Sequence, residues 1–450
     1  MQVGIDVIQF DVPKIFLPIK DLANARVIEQ AKLEKGLGLL NMSLLDVHQD
    51  VITLAANAIY KLIEQENIQL EDIARIYVGT ESGLDNSKPI ASYLVSILEN
   101  ELGKGKLKHC DVVDLTFACI GGVDAFHNCL DFIRLNPSKK AIVVTTDNAK
   151  YDLNSTGEYT QGAGAIAMLI ASNPRILSIN QPVGISTEGV FDFFKPKQTI
   201  SKELITSSKD NPEWLGVLES EITIVKEQPI FDGQYSNECY INRIKEAYQH
   251  FKVESNQQSN LSNEWELILM HLPYCYQGRR TFIEIFSEEN STLLEQQEGE
   301  TLKEKTKALS KSPEYLEFVT KKLYPAEVAS GNIGNIYTGS IFLGLLSALY
   351  FSLKNNRNIC QQKVGFIAYG SGSKSKVFEG NVQDDWKAVI EKTNLFQILE
   401  SRTAIDFTTY EKLHKKELTT SIIEPKNEFV LDYIETKSET LLGARYYNRK

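Results

Sequence analysis

Short β-branched runs alternate with amphipathic stretches along the first 170 residues of the chain. Residues 3–9, 75–79, 112–117, 141–146 and 162–170 predict strands, rich in β-branched and small apolar side chains. Between them, 48–66 sets Val51, Leu54, Ala55, Ala58 and Leu62 on one apolar face, and 90–101 predicts a further helix. Past Phe117 the period changes, with Val123, Phe126, Leu130 and Ile133 at helical spacing. Cys119 therefore stands between a strand end and a helix start, with Gly121 and Gly122 just inside the turn.

Residues 180–260 break this rhythm. The polar stretch 197–226, with Ser-Ser-Lys-Asp-Asn-Pro at 207–212, predicts a surface insertion, and 240–250 a helix. A second block follows: a strand at 266–270 ending at His271-Leu-Pro273, a helix at 278–286, charged helical material over 293–322, and a strand at 364–369 that feeds Gly370-Ser-Gly-Ser. Both blocks run strand, tip residue, helix, strand, which predicts a duplicated α/β architecture. The tail from 381 is charged and amphipathic, without identifiable chemistry.

Residues 336–353 carry no charge and approach the length of a bilayer span. Thr338, Gly339, Ser340, Gly344, Ser347 and Ser352 interrupt the apolar run, and no second span accompanies it, so a buried core helix is expected rather than a membrane segment. A net charge of −11 argues against nucleic-acid binding, which needs a concentrated positive field. Six cysteines (110, 119, 129, 239, 275, 360) contain no C-x-x-C pair, so neither a disulfide framework nor a zinc site is expected. The N-terminal run carries Asp6 and no basic cluster, and reads as a strand rather than a secretory leader. A reducing cytoplasm is the expected compartment.

In α/β folds ligands gather beyond the carboxyl ends of the strands. Glu81, Cys119 and Asp147 fall at three such ends, and His271 at a fourth. Unpaired N–H groups and the helix dipole at Cys119 favour a thiolate there. The plain alternatives are a buried inert cysteine and a hydrogen-bonded structural histidine. Gly370-Ser-Gly-Ser lacks P-loop spacing, and no H-E-x-x-H metal motif occurs. A cysteine nucleophile, a carboxylate acid/base and an imidazole partner together suit acyl transfer with carbanion chemistry.

These residues carry a resemblance. Val78-Gly-Thr-Glu-Ser82, Ala118-Cys-Ile-Gly-Gly122, Thr146-Asp147, Gly157-Glu-Tyr-Thr-Gln161, Asp192-Phe-Phe-Lys-Pro196, His271-Leu-Pro-Tyr274, Gly334-Asn-Ile-Tyr-Thr338 and Tyr369-Gly-Ser-Gly372 stand in the order of the hydroxymethylglutaryl-CoA (HMG-CoA) synthase family of the thiolase superfamily. The resemblance implies a thiolase-like fold of two similar halves in a five-layered αβαβα arrangement with cap insertions, usually as a homodimer. It divides the chain into 1–176 (Glu81, Cys119), a cap at 177–262, 263–380 (His271, Asn335), and an extension at 381–450.

It also implies the reaction, with coenzyme A thioesters as substrates and no permanent cofactor or metal. Cys119 would hold an acetyl group taken from acetyl-CoA. Glu81 would remove a methyl proton, and His271 with Asn335 would bind the acetoacetyl-CoA thioester oxygen. Asp147, Asp192, Tyr337, Gly370 and Ser371 match supporting positions, and backbone N–H groups near Cys119 and in the 370–372 loop are candidate oxyanion donors. One departure stands out: Tyr276 occupies the place where the family commonly has a CoA-binding lysine, leaving Arg279 and Arg280 as candidates for the phosphates.

The nearest rival is a polyketide β-branching synthase working on acyl carrier protein; Gly157–Gln161 and Gly334–Thr338 look closer to mevalonate-pathway members. A ketoacyl synthase or thiolase would leave Glu81 unexplained. A non-catalytic scaffold would leave all three reactive groups unexplained.

Overall fold

The computed structural model describes residues 1–206 and 217–450; the 207–212 run at the centre of the expected insertion lies outside them. The first half contains strands β1 (Val3–Asp11), β2 (Ile73–Gly79), β3 (Asp111–Leu115), β4 (Lys140–Ala149) and β5 (Gly162–Ser172), with helices α1 (Val51–Glu66), α2 (Ile90–Leu102) and α3 (Gly121–Leu135). The second half has β6 (Leu177–Ile179), β7 (Gly184–Thr187), α4 (Gly233–Glu254), β8 (Trp265–Met270), α5 (Gln277–Glu289), α6 (Tyr324–Ile333), α7 (Ser340–Lys354), β9 (Lys363–Gly370) and β10 (Lys374–Val382).

All ten strands form one sheet in the order β3-β2-β4-β5-β1-β6-β10-β9-β8, with β7 also paired to β10. The duplication expected from the sequence is visible in the pairing. In the first half β2 runs parallel to β4, β4 antiparallel to β5, and β5 antiparallel to β1. In the second, β8 runs parallel to β9, β9 antiparallel to β10, and β10 antiparallel to β6 and β7. Among the described residues no strand of that sheet stands beyond β8 as β3 stands beyond β2. The half-sheets join edge to edge where Gly4 and Ile5 pair with Ser178 and Leu177.

Helix α3 leads into β4 as α7 leads into β9, and the two helices meet at Phe126 and Phe342, whose rings lie 5.4 Å apart. Both rings are fully buried, each contributing roughly 1.5–3 kcal/mol of apolar burial. The uncharged segment is this core helix. Its hydroxyls are satisfied inside the protein: Ser347 Oγ donates to the Pro325 carbonyl at 2.7 Å, and Ser352 Oγ to that of Ala348 at 2.8 Å. Among the described residues no helix is long and apolar enough to cross a membrane.

Three expectations shift. Helix α1 starts at Val51, not at 48, because the Asp50 carboxylate accepts from the N–H groups of Ile52 and Thr53 and caps the helix. Strand β4 does not stop before Asp147 but continues to Ala149, pairing Asp147 with Gly164, so that carboxylate is fully buried. Residues 177–187, expected in the cap, supply β6 and β7 to the sheet. The C-terminal tail is also ordered: Phe429 meets Tyr60 of α1 edge-on at 5.4 Å, within an antiparallel pair formed by Phe429–Ile434 and Arg445–Arg449.

Candidate active site

Two glycine contacts bring the reactive turns together. A Cβ on Gly79, at the end of β2, would fall 2.3 Å from the Gly122 Cα in the first turn of α3. Only bare backbone lets the Cys119 turn press against the Glu81 tip. In the second half, Gly334 has φ +89°, and a Cβ there would fall 2.0 Å from the Gln161 carbonyl oxygen. This contact seats Asn335, whose N–H donates to the Thr160 carbonyl at 2.9 Å. The turns before α3 and α7 both hold a non-glycine residue in the left-handed region, Ala118 at φ +38° and Tyr337 at φ +41°. Each costs about 1–3 kcal/mol, strain that concentrates at functional sites.

The Cys119 Sγ donates to Glu81 Oε1 at 3.3 Å. The thiol is pushed well above the usual range, first by burial and then by the charges of Glu81 and Asp147. The resting thiolate expected from the helix dipole is therefore corrected: burial, with the charges of Glu81 and Asp147, outweighs the helix end, and Cys119 rests as a thiol hydrogen-bonded to Glu81. The other Glu81 oxygen faces Lys195, with Nζ 3.4 Å from Oε2. Lys195 lies in the Asp192–Pro196 motif, but a lysine after two phenylalanines gives no local sign of its partner.

Asp147 holds this corner. Its carboxylate accepts from Thr80 Oγ1 at 3.1 Å, the Glu81 N–H at 2.9 Å, Ser82 Oγ at 2.8 Å, the Thr338 N–H at 3.1 Å, and Thr338 Oγ1. Burial and then the Glu81 charge push its pKa up to about 6. It touches both halves and fixes Glu81 through the backbone.

His271 follows β8 as Glu81 follows β2. Its Nδ1 lies 2.9 Å from Ser340 Oγ, which also accepts from the Leu272 N–H at 2.8 Å. With the hydroxyl donating to Nδ1, the imidazole hydrogen sits on Nε2 and faces the cavity; with Nδ1 donating, Nε2 is an acceptor there. Tyr240 OH donates to the His271 carbonyl at 2.6 Å. Burial drives the His271 pKa down to about 3, leaving a neutral imidazole. Asn335 Oδ1 accepts from the Tyr337 N–H at 2.9 Å, which leaves its amide nitrogen for a ligand.

His127 in α3 is likewise pushed down to about 3, by burial and then by Lys376. Both histidines stay neutral in the folded chain but gain a proton in the unfolded chain below about pH 6.5. The unfolded state then binds more protons, so stability is full above that pH and is lost as pH falls towards 3. Thermal midpoints should drop between pH 7 and pH 5, and the slope should be shallower in His127→Leu.

Asp192 accepts from Tyr369 OH at 2.6 Å and from the Gly372 N–H at 2.7 Å. That N–H is therefore spent, and the expectation of it as an oxyanion donor is corrected. Gly370 packs on the Cys119 turn, where a Cβ would lie 2.8 Å from the Ile120 nitrogen. Ser371 lines two cavities that meet at this wall. One, of about 510 Å³, is lined by Cys119, Tyr151, His271, Asn335, Tyr337 and Arg280. The other, of about 850 Å³, reaches Glu81 and Lys195 from the opposite side.

The two arginines separate. Arg279 is bound bidentately to the buried Glu327, with Nε–Oε1 at 2.9 Å, and stacks 3.8 Å over Tyr276. It does not line the cavity, which corrects its candidacy for phosphate. Arg280 does line it. Arg279→Ala should destabilise by about 3 kcal/mol in denaturant titration, because Glu327 is left buried and uncompensated. Arg280→Ala should cost less than about 1 kcal/mol in the same titration, since its guanidinium donates to an exposed backbone carbonyl, that of Gly36.

A duplicated mixed sheet that joins a cysteine, a carboxylate and a neutral imidazole at the tips of both halves defines a thiolase-fold acyl-condensing enzyme. Residues 1–175 match the family model "Hydroxymethylglutaryl-coenzyme A synthase N terminal", and 222–429 match its C-terminal counterpart. The chain belongs to the HMG-CoA synthase family. It is 29% identical to the hydroxymethylglutaryl-CoA synthase of Enterococcus faecalis, over 94% of each chain. A structure of MvaS in complex with 3-hydroxy-3-methylglutaryl coenzyme A matches with a TM-score of 0.80 at 25% identity, covering 100% of this chain and 99% of that one. The HMG synthase of the curacin biosynthetic pathway in complex with acetyl donor-ACP matches with a TM-score of 0.80 over 100% of both chains, but at 19% identity the likeness is one of fold alone.

Proposed function

We propose that the chain condenses acetyl-CoA with acetoacetyl-CoA to HMG-CoA, as the mevalonate-pathway members of its family do. The observation that carries the assignment of roles is the 3.3 Å contact between Cys119 and Glu81 beside the cavity that holds His271 and Asn335. Cys119 gives up its proton and attacks the acetyl carbonyl; the C–S bond to CoA breaks, and CoA leaves as a thiol. The acetyl thioester acidifies its methyl hydrogens, and Glu81 takes one of them. The enolate carbon attacks the ketone carbon of acetoacetyl-CoA, whose oxygen gains a proton to become the tertiary alcohol.

His271 Nε2–H and the Asn335 amide hold the acetoacetyl thioester oxygen. A well-placed donor of this kind is worth about 3 kcal/mol. Water then cleaves the Cys119 thioester and releases HMG-CoA. Asp147 and Asp192 act by positioning, Tyr337 and Ser371 by lining the cavity, and Gly370 by making room for the Cys119 turn.

We divide the chain into a first half at 1–176, a second half that begins with β6 and β7, carries a cap inserted between β7 and α4 and ends with β10, and a C-terminal extension. Strand β3 ends the sheet with Val113 exposed, which suits pairing with a second copy as a homodimer. All six cysteines are free, which suits a cytoplasmic location.

Incubation with the two free thioesters should yield HMG-CoA and one free CoA per turnover. Turnover only with acetyl and acetoacetyl groups loaded on acyl carrier protein would transfer the assignment to β-branching. The higher identity to the relatives that work on coenzyme A thioesters favours free CoA.

A further inference from the structure

Cations crowd the larger cavity, but they are not equivalent. Lys150 and Lys416 pair with Glu227, Lys226 pairs with Asp152, and Arg445 with Asp50. Lys195 instead turns inward to Glu81. Its Nζ lies 3.4 Å from Oε2, 3.5 Å from the Glu81 carbonyl oxygen and 4.5 Å from the centre of the Tyr337 ring. Its side chain is 18% exposed and that of Glu81 only 6%, so solvent screens the pair little.

The two Glu81 oxygens thus have separate partners, a thiol on one and an ammonium on the other. We propose that Lys195 is the positioning residue for the base: it anchors Oε2 and aims Oε1 at the Cys119 sulfur, where the acetyl methyl group is to be deprotonated.

The groups facing Glu81 show why a cation is needed. Cys119 comes from the turn before α3, Asp147 from β4, Tyr151 from the loop after β4, and Tyr337 from the turn before α7. Each of these is neutral or negative. Lys195 is the positive group recorded on Glu81 among the described residues. When Glu81 takes the methyl proton, one C–H bond breaks, one O–H bond forms, and the negative charge passes to the enolate. The transfer leaves the net charge of this corner unchanged, with the ammonium on the Oε2 side of the carboxyl group throughout. Anchoring of one oxygen also prevents rotation of the carboxylate away from the thioester, the loss that most weakens a base held by a single contact.

This inference rests on the reading of Glu81 as base, and the test separates the two. Lys195→Met and Lys195→Arg are compared with wild type for acetylation of Cys119 by intact mass and for condensation across pH 5–9. Wild-type failure to form HMG-CoA from either thioester source would defeat the functional reading. With wild type active, Lys195→Met is expected to acetylate normally at saturating acetyl-CoA. Its condensation rate should fall 10- to 100-fold while the rate of Cys119 acetylation stays unchanged. Lys195→Arg should restore most of the condensation rate. A wild-type profile in Lys195→Met would overturn the proposal, as would equal loss of acetylation and condensation at every pH together with a lowered thermal midpoint.

Discussion

A Cys119→Ala variant should bind acetyl-CoA, gain no acetyl mass, and lose product formation by at least roughly four orders of magnitude. The size follows from the chemistry at this position. Glu81, His271 and Asn335 can bind and polarise a thioester, but none of them can carry the acetyl group between the two substrates. The fold should survive, since alanine fits the turn before α3 and the lost contact is a thiol donating to Glu81 at 3.3 Å. Intact mass after mixing with acetyl-CoA gives the answer in one measurement. An acetyl adduct in the alanine variant would place the nucleophile elsewhere, with Cys275 the first residue to check.

Glu81→Ala should separate the two chemical stages. Burial and the Glu81 charge are the leading causes of the raised Cys119 thiol, so removal of the carboxylate makes ionisation of the sulfur easier. Acetylation is expected to continue. Condensation needs a base at the methyl group and should fall by about 10²- to 10⁴-fold, the usual contribution of a positioned acid/base group. The variant should therefore accumulate as the acetyl-enzyme, visible as a persistent mass increment with little HMG-CoA formed. Condensation at the wild-type rate would refute the choice of Glu81.

What the chain revealed before its fold was known depended on distance along the sequence. The alternation of strands and helices, the buried nature of α7 and the Glu81, Cys119 and His271 tips were all readable, because period and turn chemistry are local. Three of the misreadings share one cause. Arg279 looked free because its partner Glu327 lies 48 residues away. The Cys119 thiolate looked favoured because the helix end is adjacent, whereas Glu81 is 38 residues off. Lys195 passed unnoticed because its partner lies on another strand tip, 114 residues distant. The Asp50 cap was the exception, a local signal that was readable and overlooked.

The doubling of the sheet has a practical corollary for engineers. Thiol and proposed base hang from one copy of the motif, while the imidazole and amide proposed to hold the incoming β-ketothioester hang from the other. Acceptor choice can therefore be remodelled at the tips of β8 and α6 with the acetyl-loading step left intact, and libraries confined to those tips offer a direct route to new branched acyl products.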